Sequence, residues 1–242
     1  MITRMGLLKK KPSWTTEAFR QHWRDHHGAL AAQLPGLRRY HQNHVVDQAQ
    51  RGIQFARGPE QLDGFSQLWF DDVDSMRAAI ASPAGQALVA DEQHFIGDLR
   101  VVAVQQTTVV PPVLPQGGSP AIKRMSLLRR RADVSAERFA HAWQVEHAAL
   151  VRQMEGVRGY RQNLITERQA PKGTVVGYEQ LPVDGIVELW FDSIESIDRI
   201  FGCPAGLALM AHAGSFIGEI TTTLVEVHAV VDVDPSGAHH GH

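Results

Sequence analysis

A single cysteine, Cys203, means that no disulfide can form within the chain. That excludes the small secreted scaffolds held together by such bonds and suits a reducing cytoplasm. Long apolar runs are missing too. Nothing reaches the roughly 20 consecutive apolar residues of a membrane-spanning helix, and the start, Ile2-Thr3-Arg4-Met5, lacks the apolar core of a secretory leader. Charge of one sign is also scarce. With 24 Lys and Arg against 26 Asp and Glu, the net charge of −2 gives no electrostatic reason to expect nucleic acid or a membrane surface as partner. The basic runs Lys9–Lys11 and Arg129–Arg131 read as solvated turns at the ends of first strands. No G-x-G-x-x-G, P-loop, G-x-S-x-G or H-E-x-x-H string occurs, so the chemistries those motifs serve have no support here. A soluble, cytoplasmic protein is expected.

What is present is one pattern written twice. Met5, Leu7 and Leu8 return 120 positions later as Met125, Leu127 and Leu128. Glu17, Phe19, Trp23, His27 and Leu30 return as Glu137, Phe139, Trp143, His147 and Leu150; Gly36, Tyr40, Gln42 and Asn43 return as Gly156, Tyr160, Gln162 and Asn163. The offset becomes 121 at Asp63-Gly64 and Asp184-Gly185, at Leu68–Asp71 and Leu189–Asp192, and at Pro83–Gly85 and Pro204–Gly206, which one inserted residue explains. Solenoid periods run at about 20–50 residues, so these are two domains rather than solenoid units. The boundaries read as repeat 1 at 1–110, a Pro- and Gly-rich linker at 111–120, repeat 2 at 121–233, and a disordered, histidine-containing tail at 234–242. Cys203 falls opposite Ser82, so a thiol is not required there and filler is the expected role.

Within repeat 1, residues 2–9 read as a strand, and 16–33 as a helix with Phe19, Trp23, Leu30 and Leu34 on its buried stripe. Strands follow at 37–46 and 65–70, separated by a long loop at 47–63. Asp71 or Asp72 caps a helix to Ile80, Pro83 opens another toward Asp91, and the last strand runs from 99 to 110. The order β-α-β-β-α-β is the split ferredoxin-like motif, with helices on one face of a four-stranded antiparallel sheet. The bare faces of two such sheets can cover each other, so the fold expected is α+β, an internal pseudo-dimer. Further homo-association through edge strands or helix faces stays open.

His27 and His147 lie four residues after a tryptophan, on the helix face that packs on the sheet, where an imidazole can exchange a proton near neutral pH. The bland alternative is a histidine that only satisfies a backbone carbonyl. Tyr40 and Tyr160 can donate to a carbonyl or enolate oxygen, or can be packing. Strand alternation puts Tyr40, Gln42 and His44 on one face and His41 and Asn43 on the other, and groups Phe65, Gln67 and Trp69 with their counterparts Ile186, Glu188 and Trp190. Glu188 is an acid or base if that face looks inward and a solvated carboxylate if it does not. His22 and His26 have helical spacing for a metal, joined by His41, His44 and His94. Their counterparts are Ala142, Glu146, Arg161, Leu164 and Ser215, so no metal and no cofactor is expected.

Phe19, Trp23, His27 and Leu30, then Pro35-Gly36, Tyr40 with Gln42, Asn43 and His44, Asp63-Gly64, Leu68–Asp71, Ser82–Gly85, and Asp91 with Phe95, together resemble the EthD-like proteins of the dimeric α/β-barrel superfamily. The resemblance covers nearly all of both halves and implies an intrachain dimeric α/β barrel of ferredoxin-like repeats. It implies cofactor-free proton transfer on an enolisable or ring-type substrate: isomerisation, cyclisation, dehydration or decarboxylation. In that reading His27 is the acid/base and Tyr40 the polarising donor; Phe65 and Trp69 wall the pocket, while Asp91 and His44 tune it. Asn43, Glu188 and Trp190 complete the substrate-binding candidates. Repeat 2 departs from the pattern at His212 for Asp91, Glu155 for Pro35, Leu164 for His44 and Ser215 for His94, so repeat 1 is expected to hold the working pocket. A non-catalytic binding or protective protein of a degradation pathway is the alternative. Haem- or metal-assisted oxygenation, found elsewhere in the superfamily, would show as colour or bound iron.

Overall fold

A computed structural model of the chain describes residues 1–113 and 121–232; the expected tail at 234–242 and most of the expected linker lie outside the described residues. Repeat 1 begins with β1 (Ile2–Lys10). Thr15 then accepts a hydrogen bond from the Ala18 amide and starts α1 (Thr16–His22). The expected single helix is interrupted: a π-helical segment (Trp23–His27) follows α1 before α2 (Gly28–Ala31) completes it. After β2 (Arg39–Asp47) and β3 (Gly64–Phe70), Asp72 caps α3 (Val73–Ala81) and Ser82 caps α4 (Pro83–Phe95). Helix α4 runs four residues past Asp91 because Phe95 is buried against Phe19, their rings 5.5 Å apart. β4 (Ile96–Val110) therefore starts earlier than expected.

Repeat 2 follows the same plan. It comprises β5 (Ile122–Arg130), α5 (Ala136–His141), a second π segment (Ala142–His147), α6 (Ala148–Val151), β6 (Gly159–Gln169), β7 (Gly185–Phe191), α7 (Ile194–Gly202), α8 (Pro204–Ala213) and β8 (Ile217–Asp232). Cys203 caps α8 just as Ser82 caps α4, its sulfur accepting from the Gly206 amide, in keeping with the structural role expected of it.

Each repeat orders its strands last-first-third-second, and the two sheets join through β2 with β8 and β4 with β6. All pairings are antiparallel and the eight strands close into one barrel. The chain is thus an internal pseudo-dimer whose sheets face each other, as the repeat implied. Closure also removes the edge-strand route to further association, because no sheet edge is left to pair. Among the described residues, no helix is long and apolar enough to cross a membrane.

The barrel lumen is a core shared by both repeats, with Met5, Leu7 and Phe65 packed against Met125, Leu127 and Ile186. Two other layers lie between each sheet and its own helices. There the tryptophan of the π segment lies flat over a glycine. A Cβ on Gly64 would come 2.3 Å from the Trp23 ring, and one on Gly185 would come 2.3 Å from the Trp143 ring. This contact explains why the glycine recurs at both third strands. Overpacking of this kind costs about 1–3 kcal/mol, so Gly64→Ala is expected to lower the melting midpoint by about 2–12 °C for a domain of this size. A midpoint unchanged in a thermal scan would mean that the indole simply moves aside.

Candidate functional site

The π segment builds the site. Its widened turn bonds the Gly28 amide to the Trp23 carbonyl, five residues back. The same carbonyl accepts the Gln42 side-chain amide at 2.6 Å, and Trp143 with Gln162 repeats the contact at 2.7 Å. Residues five apart on such a turn lie close to one face, so His22 and His27 both reach Asp91 on α4. Single-turn π segments inside helices are common at functional sites.

In repeat 1, His27 is 5% exposed and its Nδ1 lies 2.8 Å from Asp91 Oδ2, while His22 Nε2 lies 2.8 Å from Oδ1. Burial opposes the Asp91 charge, but the hydrogen bonds from His27 and His22 outweigh it and leave the carboxyl below its ordinary range. With Nδ1–H donated to Asp91, the His27 Nε2 lone pair is free, and no described residue bonds to it. Tyr40 is fully buried, and its hydroxyl accepts from Trp23 Nε1 at 2.9 Å and Gln42 Nε2 at 3.3 Å. Both lone pairs are used and its own proton has no acceptor among the described residues. Burial raises the Tyr40 pKa, so that proton stays on oxygen. Trp23, His27 and Tyr40 line one cleft between helix and sheet of about 350 Å³, counting its open mouth, together with Arg4, Ser66 and Glu92.

Repeat 2 has the equivalent cleft, about 420 Å³, lined by Trp143, His147, Tyr160 and Arg124. Its polar groups differ. Val187 stands for Ser66 and Ala213 for Glu92, while His212 replaces Asp91. His147 Nδ1 lies 3.3 Å from His212 Nδ1, and His212 Nε2 lies 3.2 Å from Glu146 Oε2. The consistent proton arrangement has His147 donating to His212 and His212 donating to Glu146. Burial, then the neighbouring His212, pushes His147 down to about 3, and burial pushes Tyr160 up to about 12. A third cleft, near Glu60, Arg129 and Thr221, contains none of these histidines or tyrosines.

Each cleft is completed by the other repeat. Ile53, from the β2–β3 loop of repeat 1, lines the repeat 2 cleft, and the Arg51 carbonyl accepts from Arg124 Nη1 at 3.2 Å. In return, the β6–β7 loop of repeat 2 sends Lys172 to Glu92 of repeat 1, with its amide 2.8 Å from the Leu99 carbonyl.

The remaining expected site residues fall elsewhere. Phe65 and Trp69 do not wall the His27 cleft. They point from β3 into the lumen, as do Asn43, Glu188 and Trp190, because a strand's alternate residues face opposite sides and the His27 side takes Ser66 and Leu68. Glu188 is completely buried there, 2.7 Å from Lys123 Nζ, with Asn163 Nδ2 and Gln67 Nε2 donating to Oε1 at 2.9 and 3.0 Å. Burial alone would raise its pKa, but Lys123 and Arg161 outweigh that and hold it at about 2. It is an ion-pair partner, not a carboxyl poised to exchange protons. Asn43 Oδ1 accepts from Lys123 Nζ at 2.8 Å, and Trp69 Nε1 donates to Gln106 at 3.2 Å. His44 stacks on Trp23, the ring centroids 4.4 Å apart, and does not line the cleft; burial, then His228, pushes its pKa to about 3. His22, His26 and Asp91 place one ligand atom each within 4.8 Å of the others, a spacing open to a metal ion. His26 is largely exposed, and the carboxylate already serves His27 and His22. Arg4 and Arg124 escaped the sequence reading. Their signal was an arginine kept before a methionine at the 120-residue offset.

The EthD domain profile matches residues 11–98 and 131–219. No curated protein sequence matches the chain. Among solved structures, an anthrone oxidase-like protein is 9% identical with a TM-score of 0.62, over 98% of this chain and 96% of that one. A candidate monooxygenase from Lactobacillus acidophilus NCFM is 12% identical with a TM-score of 0.56, over 96% of both chains. An EthD-family protein from Bacillus halodurans, 23% identical with a TM-score of 0.34, covers 42% of this chain and 96% of its own. At these identities the first two likenesses show the barrel fold alone. The profile matches, falling once on each ferredoxin-like half, show that the chain belongs to the EthD family and carries its domain twice.

Proposed function

We propose that the chain is a small-molecule enzyme that moves a proton on an enolisable substrate without a cofactor, in the repeat 1 cleft. The observation that carries this reading is the pair of unclaimed groups on one cleft: the His27 Nε2 lone pair and the Tyr40 hydroxyl proton. The first removes a proton next to a carbonyl. The second donates to the carbonyl oxygen as negative charge grows on it, which is where a fixed donor stabilises the transition state most. Asp91 holds the tautomer that leaves Nε2 bare and stabilises the imidazolium that forms. The enolate can then be reprotonated elsewhere, lose a leaving group or close a ring. The isomerase and lyase classes share this first step.

Proteins of similar fold are named for oxygenation, and an oxygenase acting without a cofactor would also begin by making an enolate. The test therefore isolates that step. The protein, incubated without oxygen in D₂O with 2-tetralone and related cyclic ketones, is expected to exchange the carbon-bound proton faster than buffer does, as followed by proton NMR. Tyr40→Phe keeps the ring and removes the donor. It is expected to slow exchange about 10²–10³-fold, the scale for one lost oxyanion donor. Exchange no faster than buffer across the panel would favour the alternative, a binding or protective protein in which both groups only hold a ligand.

A further inference from the structure

Arg4 and Arg124 take no part in the chemistry above, yet each projects from the first strand of its repeat into the helix–sheet cleft. Arg4 is 9% exposed and Arg124 is 3% exposed. Among the described residues, the Arg4 side chain makes no hydrogen bond and no ion pair. The one acidic side chain lining its cleft, Glu92, is held by Lys172 from the other repeat. Arg124 donates once, to the Arg51 carbonyl, and its guanidinium lies over the rings of Phe201 and Phe191 at 4.6 and 5.4 Å. Its Nε is buried without a partner. No acidic residue lines its cleft, because Ala213 stands where repeat 1 has Glu92. In the repeat 2 cleft the guanidinium is therefore without a counter-charge, and in repeat 1 the one lining carboxylate is engaged by Lys172 and not by Arg4.

Burying a cation without a counter-charge is costly, and folded proteins seldom do so without a use. Here a buried arginine without an ion pair occurs twice, at equivalent positions, in repeats where Ser66 and Glu92 have given way to Val187 and Ala213. Guanidinium is also the side chain suited to a carboxylate, which it grips through two parallel hydrogen bonds. We propose that both clefts are anion sites, in which Arg4 and Arg124 each receive the carboxylate of a small, otherwise apolar acid. The surrounding Leu, Ile, Phe and Trp side chains cover the rest of the ligand. The cleft volumes count open solvent at the mouth and the enclosed space is small, so the acid is a compact one and the lining side chains must move apart to seat its ring. The inference rests on the cleft being the binding site, as proposed above, but not on the proton transfer. In repeat 1 it narrows the substrate to an enolisable carboxylic acid, anchored by Arg4 while His27 and Tyr40 act on its carbonyl.

The test is binding, with no turnover required. Benzoate, phenylacetate and 2-naphthoate are titrated into the whole chain by calorimetry, with their uncharged amides as controls. Quenching of Trp23 and Trp143 provides a second signal. Two sites are expected for at least one acid and none for its amide. Arg4→Gln and Arg124→Gln should each weaken one site by about 10–100-fold, the scale for hydrogen bonds to a charged group, and leave the other intact. Ligand-free Arg124→Gln should melt no lower than the parent, since it removes an unpartnered buried charge; a merely structural arginine would lower the midpoint. If either glutamine variant fails to fold, Arg→Lys keeps the charge without the fork and should bind about tenfold more weakly. Acids that do not bind, amides that bind as well, or variants that keep both sites at full strength would each overturn the proposal. Acid binding that needs both arginines, in a protein that exchanges no protons, would sustain it and sink only the enzymatic reading.

Discussion

His27→Ala is expected to cost about 10²-fold or more in turnover, the usual scale for a lost general acid or base, and His147→Ala much less. Each imidazole shares its cleft with an equivalent tryptophan and tyrosine, so the difference lies in what backs them. Behind His27 is Asp91, a partly buried carboxylate that stabilises the charged ring. Behind His147 is a second imidazole, and only beyond that a carboxylate, Glu146, which Arg138 already holds at 2.5 Å. When His147 takes a proton it acquires a cation in the cleft of Arg124 and a neighbour that is a weak acceptor at best. Its pKa of about 3 makes it a poor base at any pH near neutrality. Steady-state assays of both variants, once the exchange panel has supplied a substrate, decide the matter. Equal losses would mean two working clefts, and loss only in His147→Ala would mean that repeat 2 does the work. A pH profile whose acid limb falls near 3 would point to repeat 2 as well.

Glu188→Gln is expected to destabilise the barrel by about 3–5 kcal/mol, the usual result of removing one partner from a buried ion pair. For a chain of this size that is a fall in melting midpoint of about 6–20 °C. The amide keeps the shape and can still accept from Asn163 and Gln67, but it leaves the Lys123 ammonium in the lumen without its counter-charge. Replacing both by methionine should restore most of the loss, since well-packed apolar side chains commonly match a buried pair. The pH dependence has a definite sign. The folded pKa of Glu188, about 2, is below the ordinary 4.5. Its contribution is therefore fully present above about pH 4.5 and is lost as pH falls through 2. Melts of the parent and Glu188→Gln between pH 7 and 2 should converge at the acid end. Parallel curves would show that the pair adds nothing.

The sequence carried the fold because each structural device was written twice. Thr15 and Ser135, Asp72 and Ser193, and Ser82 and Cys203 cap matched helices, and the glycine under each tryptophan recurs with its aspartate. The π segments were not legible, because the apolar spacing of Phe19, Trp23 and Leu30 fits a plain helix equally well. Of the expected site residues, His27 and Tyr40 line one cleft with Asp91 behind them. Phe65 and Trp69 were placed on the pocket and the face of Glu188 was left open, since alternation yields two faces without saying which one meets the helices. The arginines were passed over because a charged residue near the start of a strand ordinarily faces water. Only the three-dimensional lining shows that these two do not.

Gln67 and Glu188 occupy equivalent places in the two repeats, and they touch. The pseudo-twofold axis must therefore pass between them. In an assembly of two identical single-domain chains, whatever stood at this position would meet its own copy. A glutamate would face a glutamate at hydrogen-bonding distance, and two charges that close cannot both persist. A lysine in place of Thr3 would likewise appear twice around the same point. Joining the halves in one polypeptide frees the axis from that restriction, because a substitution now occurs once instead of as a mirrored pair. The lone Lys123–Glu188 pair, with Asn43 and Gln67 of the opposite half beside it, is an arrangement that two identical chains could not hold.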